Sequence, residues 1–224
     1  MHNSWQNLTL IENKVKEIIT KKQLKTSPKI IVVTKKFTFD KIKPLLENNH
    51  KHFGENKIQE AEEKWTSAKN FYKNIKLHMI GKLQSNKAKK AVKLFDYIHA
   101  LDSYKLASKI SQYEKELNKK IKIFVQVNLG DEMQKSGISL KNLDNFYNYC
   151  IKELSLNVVG LMCIPPIDQD SNEHFNTLKQ TADKLSLKDL SMGMSSDFES
   201  ALLNGSTYLR LGTLIMGTRS SNWW

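Results

Sequence analysis

The stretch Lys29-Ile30-Ile31-Val32-Val33-Thr34-Lys35-Lys36 sets β-branched residues in an unbroken row and then stops at two ammonium groups. Continuous apolar runs of this length suit a strand covered on both faces, as in a parallel sheet; a strand with one wet face would alternate. Side chains alternate along a strand, so Lys35 shares a face with Ile31 and Val33, while Lys36 shares one with Val32 and Thr34. In a closed barrel one of these sets points into the lumen and the other toward the helices, and the pattern leaves open which. The plainer reading, that both lysines mark the strand end and reach into water, stands beside a functional one.

Outward from this strand the chain alternates. Further strand-like segments fall at 77–80, 96–101, 121–128, 157–164 and 207–211, with weaker ones near 51–53 and 189–193; helical spacing covers 40–48, 57–70, 86–94, 104–118, 140–154, 172–185 and 196–203. Before all of these, Leu8, Ile11, Val15, Ile18 and Ile19 fall at helical spacing over 4–22, with Asn3 or Ser4 available as an N-cap. Parallel neighbours need a crossover of a dozen or more residues, usually a helix. Strict strand and helix alternation therefore predicts an α/β fold: a single (β/α)8 TIM barrel with an additional N-terminal helix. No repeat, low-complexity run or Pro/Gly-rich linker divides residues 1–224, which are read as one domain. A doubly wound open sheet is the competitor, weakened by the lack of GxGxxG after the first strand.

Composition excludes several classes. No apolar run approaches the ~20 residues that cross a bilayer, and the N-terminus lacks the apolar core of a secretion signal, so a cytoplasmic protein without a membrane partner is expected. Cys150 and Cys163 lie far apart with no His/Cys cluster around them, which suggests neither a disulfide framework nor a metal site. The formal net charge of +12 invites nucleic acid, yet Arg210 and Arg219 are the only arginines and the lysines are dispersed. Specific base reading leans on the guanidinium fork, so a solvated lysine surface is preferred and no specific nucleic-acid partner is expected.

Polar residues and glycines gather just after the strands, where barrels collect their sites. A partly desolvated lysine at such a mouth loses its proton more easily and can attack a carbonyl. The segment Ser191-Met192-Gly193-Met194-Ser195-Ser196-Asp197-Phe198 and, after the last strand, Leu209-Arg210-Leu211-Gly212-Thr213 each read as a strand end turning into a helix. Backbone N–H groups with adjacent hydroxyls bind anions there, and barrels hold phosphate after strands seven and eight. The rival stretch Gly81-Lys82-Leu83-Gln84-Ser85-Asn86-Lys87 lacks the first glycine of GxxxxGK[ST], so Lys87, Lys89, Lys90 and Lys93 are read as a solvated helix face.

Taken together, the segments IIVVTKK, HFGENKIQEA, HMIGKLQSNK, QVNLGDEMQKSGI, GLMCIPP, LSMGMSSDFESAL and GSTYLRLGTLIMG resemble, in order and nearly end to end, the pyridoxal phosphate homeostasis family of the YggS/PROSC type. The fold of that family is similar to the N-terminal barrel of alanine racemase. The resemblance implies that Lys35 holds pyridoxal 5'-phosphate (PLP) as an internal aldimine, a reversible Schiff base. It implies that Ser195, Gly212 and Thr213 bind the phosphate, that Arg210 lies against the pyridine nitrogen, and that Asn56 sits near the ring. Lys36 stands where the family commonly has Thr and is read as auxiliary or solvated. His78 and Met162 are read as packing or hydrogen bonding near the mouth, and Lys82 and the terminal Trp223-Trp224 receive no role.

An arginine at the pyridine nitrogen cannot protonate it, which leaves the ring a weaker electron sink. Racemisation also needs acid/base groups on both faces of the substrate; in alanine racemase one comes from a C-terminal domain, for which nothing remains after the barrel. The expected function is therefore a PLP-binding protein of vitamin B6 and amino-acid homeostasis without robust catalysis, with no catalytic residue assigned. Its partners would be PLP and PLP-dependent apoenzymes, and its state a monomer or weak dimer. A PLP-dependent amino-acid racemase is the alternative.

Overall fold

The computed structural model describes residues 3–130 and 136–218. Within it the opening stretch forms strand β1 (Lys29–Val33), buried from Ile30 onward. It is followed by β2 (His52–Glu55), β3 (Lys76–Met79), β4 (Tyr97–Leu101), β5 (Lys122–Asn128), β6 (Ile138–Ser139), β7 (Val158–Met162), β8 (Asp189–Ser191) and β9 (Tyr208–Leu211). Around the sheet the hydrogen-bonded order is β1, β2, β3, β4, β5, β7, β8, β9, with β9 paired back to β1 and every pairing parallel. The sheet is thus a closed eight-stranded barrel, and the open-sheet alternative is set aside. The two-residue β6 pairs with β5 outside this circuit, Val127 opposite Ile138.

Between the strands run α2 (Phe39–Glu47), α3 (Ile58–Phe71), α4 (Ala88–Leu94), α5 (Tyr104–Glu116), α6 (Leu140–Asn148), α7 (Ser171–Lys184), α8 (Phe198–Leu203) and the single turn α9 (Thr213–Met216). The extra N-terminal helix α1 (Ser4–Lys22) starts in a capping box, with Asn3 Oδ1 accepting from Gln6 N–H and the Gln6 side chain accepting from Asn3 N–H. It packs on α2, α8 and α9, and Asn7 Nδ2 donates to Ile215 O at 2.9 Å, so α1 thickens the ring where α9 is too short to do so.

Two apolar clusters answer the question of facing. Val32 belongs with Phe53, Trp65, Leu77 and Ile98 to the layer between barrel and helices. Ile31 belongs with Tyr97, Phe124, Met162 and Tyr208 to a smaller cluster in the lumen. The odd-numbered set of β1 therefore points inward, and Lys35 leaves the strand on the lumen side. Gly54 of β2 is needed by that packing, because a Cβ there would stand 2.8 Å from Ile31 Cγ2.

Boundaries differ from the sequence expectation in particular places. The helical pattern at 140–154 is α6 followed by a π turn, Tyr149–Glu153, in which Leu154 N–H reaches back to Tyr149 O. Strand β2 extends past the expected 51–53 through Gly54 and the fully buried Glu55.

Candidate functional site

The end of β1 is held by a cluster of polar contacts. Thr34 N–H donates to Gly54 O at 3.0 Å, and its hydroxyl donates to Glu55 Oε1 at 2.7 Å. The same carboxylate oxygen accepts from Lys64 Nζ at 3.1 Å and Trp65 Nε1 at 3.0 Å, and Lys64 also reaches Thr34 O at 2.7 Å. Burial raises the Glu55 carboxyl above its ordinary pKa, while the Lys64 ammonium and the hydrogen bonds pull it back. Trp65, itself fully buried against Phe53, fixes this arrangement from the helix layer.

From Thr34 the chain turns at once. Phe37 N–H bonds to Thr34 O at 3.2 Å, and Lys36, the third residue of the turn, has φ of 64°. Its N–H donates to Glu60 Oε1 and its side chain is exposed. Lys35 is only partly exposed and lines a cavity of about 440 Å³ at the C-terminal end of the barrel. A single turn thus separates the two lysines into one that enters the cavity and one that faces water.

All six residues expected at the site, Lys35, Asn56, Ser195, Arg210, Gly212 and Thr213, line this one cavity. Asn56 follows Glu55 out of β2, and Gly81 lies so close over it that a Cβ would stand 2.5 Å from Asn56 O. Ser195 sits in the turn after β8, where Met194 N–H donates to Asp197 Oδ1 at 2.6 Å and Asp197 N–H to Met194 O at 3.1 Å. Gly212 and Thr213 follow β9, and Gly212 passes over Val33 of β1, which its added Cβ would meet at 3.6 Å.

Arg210 enters from β9 with 4% of its surface exposed. One terminal nitrogen donates to Ser191 Oγ at 2.8 Å and the other to Cys163 O at 3.0 Å. Burial lowers its pKa, but a guanidinium starts so high that it stays charged. Among the described residues that line the cavity, Lys35 and Arg210 are the ionisable ones and none is a carboxylate; Ser195, Ser196 and Thr213 add hydroxyls. Volume and chemistry fit a small anion with an apolar body, since Val33, Phe37, Ile80 and Ile164 supply the remaining walls. That donor set suits the aldehyde, ring and phosphate of PLP.

Other expectations fall elsewhere. His78 and Met162 are fully buried in the lumen, and neither lines the cavity. Lys82 is exposed and lines a smaller hollow of about 310 Å³ beside Asn56. Lys89 and Lys90 are exposed and pair with Glu116 and Glu62. Segment 131–135 of the quoted motif, Arg219 and Trp223-Trp224 lie outside the described residues. Ser191, Glu55 and Lys64 went unassigned in the sequence; the signal for Ser191 is a hydroxyl set between Leu190 and Met192 in a buried strand.

The alanine racemase N-terminal domain matches residues 7–220. A pyridoxal phosphate homeostasis protein of Aquifex aeolicus is 36% identical over 178 residues, covering 75% of this chain and 77% of its own. The protein of the same name in Buchnera aphidicola is 32% identical and covers 96% of this chain and 97% of its own. Among solved structures, PipY of Synechococcus elongatus with PLP bound superposes with a TM-score of 0.80 at 32% identity, over 91% of this chain and 100% of its own.

Proposed function

Because this chain belongs to the pyridoxal phosphate homeostasis family, whose barrel is that of the alanine racemase N-terminal domain, we propose that its mouth cavity binds PLP and that the protein serves intracellular PLP and amino-acid homeostasis. When bound, PLP supplies an electrophilic aldehyde, a pyridine nitrogen and a phosphate. In this reading Lys35 offers the amine that holds the aldehyde covalently and reversibly. Ser195, Gly212 and Thr213 hold the phosphate through hydroxyl and backbone N–H groups. Arg210 donates to the pyridine nitrogen without protonating it, and Asn56 lies beside the ring.

The observation that carries the reading is the convergence of one lysine, one arginine and three hydroxyl side chains, with no carboxylate among the described residues, on a single cavity that PLP would fill. The same cavity favours holding over turnover. Proton transfer on two faces of an amino acid needs two acid/base groups, and the ionisable lining residues described are Lys35 and the permanently charged Arg210. PLP-dependent apoenzymes are the recipients this role implies, with the protein acting as a monomer or weak dimer. Two free, buried cysteines accord with a cytoplasmic setting.

The test is an absorbance spectrum of the purified protein with PLP, before and after borohydride reduction, followed by peptide mapping. A reduced pyridoxyl group on Lys35 is expected, and a protein left colourless and unmodified by excess PLP would overturn the reading. Incubation with single L-amino acids in deuterated water then separates carrier from racemase: rapid exchange of the α-proton would make it an enzyme.

A further inference from the structure

Beneath Arg210 the lumen holds polar side chains beside its apolar cluster. Ser191 Oγ, which accepts from the guanidinium, lies 2.7 Å from His99 Nδ1. His99 Nε2 lies 2.9 Å from His78 Nδ1, and His78 Nε2 lies 2.9 Å from His52 Nδ1. His52 is the first residue of β2, so this file of side chains runs from the mouth to the opposite end of the barrel. His78 and His99 have no exposed surface, and the ring planes are set by stacking: His78 on Tyr97 with centroids 4.1 Å apart, His99 on Phe124 at 4.4 Å.

The chemistry of the first member gives the file a direction. A guanidinium only donates, so Ser191 Oγ spends a lone pair on Arg210 and its own proton turns to His99 Nδ1. His99, neutral in this setting, then carries its proton on Nε2 and donates to His78 Nδ1; His78 likewise donates from Nε2 to His52 Nδ1. The opposite direction would bring two donors onto Ser191 Oγ, leave the serine proton without an acceptor in the file, and aim an N–H toward the guanidinium charge. Burial keeps both inner imidazoles neutral, holding their pKa well below the usual histidine value, and the neighbouring histidines and the Arg210 charge act the same way.

We propose that Ser191, His99, His78 and His52 are positioning residues for Arg210: a single file of hydrogen bonds, all donated in one direction away from the mouth, that fixes the guanidinium as it faces the cavity. The second anchor, Cys163 O, takes the other terminal nitrogen, so the guanidinium is held at two points while it meets the ligand. The consequence for PLP rests on the function proposed above; the file itself is a property of the protein alone.

Long-range 1H–15N spectra of the histidine-labelled protein without ligand test the file directly. His78 and His99 are expected as neutral Nε2–H tautomers at pH 7, and an Nδ1–H tautomer or an imidazolium at either position overturns the proposal. Ser191→Ala breaks the link to Arg210. It is expected to weaken PLP binding about tenfold, the loss of one charge-assisted hydrogen bond, and to shift the ring-nitrogen resonance of 15N-labelled PLP. Ser191→Thr, which keeps the hydroxyl, is expected to restore both. An S191A protein that folds and binds PLP with unchanged affinity and resonance defeats the proposal. Should S191A not fold, the tautomers of the parent protein decide it. Should the parent protein bind no PLP, the proposed function falls while the tautomers still decide the file.

Discussion

The Thr34 hydroxyl donates to Glu55 Oε1 at 2.7 Å, which ties the residue just before Lys35 to the end of the neighbouring strand. Lys64 and Trp65 share that oxygen, whereas Glu55 Oε2 is buried without a hydrogen-bond partner among the described residues. One atom is therefore the joint between β1, β2 and α3. Glu55→Ala takes the acceptor from the Thr34 hydroxyl and Trp65 Nε1, while Lys64 keeps Thr34 O and Glu60; its cost is about 3 kcal/mol of stability, read as a lower urea midpoint and accompanied by weaker PLP binding. Glu55→Gln keeps an acceptor for Thr34 and Trp65 and costs about 1 kcal/mol.

Ser195→Ala and Thr213→Ala test the phosphate end separately from the lysine. Each variant is expected to lower PLP affinity about tenfold, the worth of a hydroxyl hydrogen bond to a charged oxygen, measured by equilibrium spectral titration. Borohydride should still fix the pyridoxyl group on Lys35. Loss of labelling at Lys35 with unchanged affinity would reverse the assignment of roles.

Lys36 sits at φ of 64°, a conformation in which a Cβ crowds the following carbonyl. Lys36→Gly removes that crowding and is expected to stabilise the protein by about 1 kcal/mol, seen as a rise in Tm. Lys36→Val at the same position should lower it. The Gly variant is expected to take up PLP as the parent does, because the backbone N–H that meets Glu60 is retained and the lysine side chain faces solvent.

Acid should weaken the fold through its histidines. His50 and His52 have pKa values lowered from 6.5 to about 4, in both cases chiefly by burial. The unfolded chain binds their protons below pH 6.5 while the folded one does not. Stability is therefore full above pH 6.5 and is lost as pH falls toward 4, by about 1.4 kcal/mol per pH unit for each histidine that remains neutral. Urea unfolding at stepped pH checks this, and His52→Asn should flatten the slope between pH 6.5 and 4.

Most of the architecture was legible because long apolar strands and amphipathic helices carry their period in their composition: Ile30 to Val33 announces a buried strand by itself. Short elements do not, and β6, with two residues, leaves no period to read. The mouth residues were legible through motif order rather than pattern, since Lys35 and Lys36 are equivalent until the lumen side of β1 is known. The histidines were the least legible. His52, His78 and His99 each look like an isolated polar residue in a strand; the pairing of β2, β3 and β4 sets their side chains in a row, and only ring closure brings Ser191 of β8 to the end of it. Glu55 is hidden for a related reason: its partners Lys64 and Trp65 stand a full helix turn or more downstream and meet it only once α3 docks.

Strand β9 lies against β1 with Arg210 opposite Ile31, although well over half the chain separates them in the primary structure. During synthesis the amine-bearing end is made early, while the guanidinium and the last turn emerge from the ribosome late. The pocket comes into being only when β9 zips home, so a chain in which that strand has not docked has Lys35 without Arg210, Gly212 and Thr213 beside it. Occupancy of the mouth would thus double as a certificate that the ring of strands has shut.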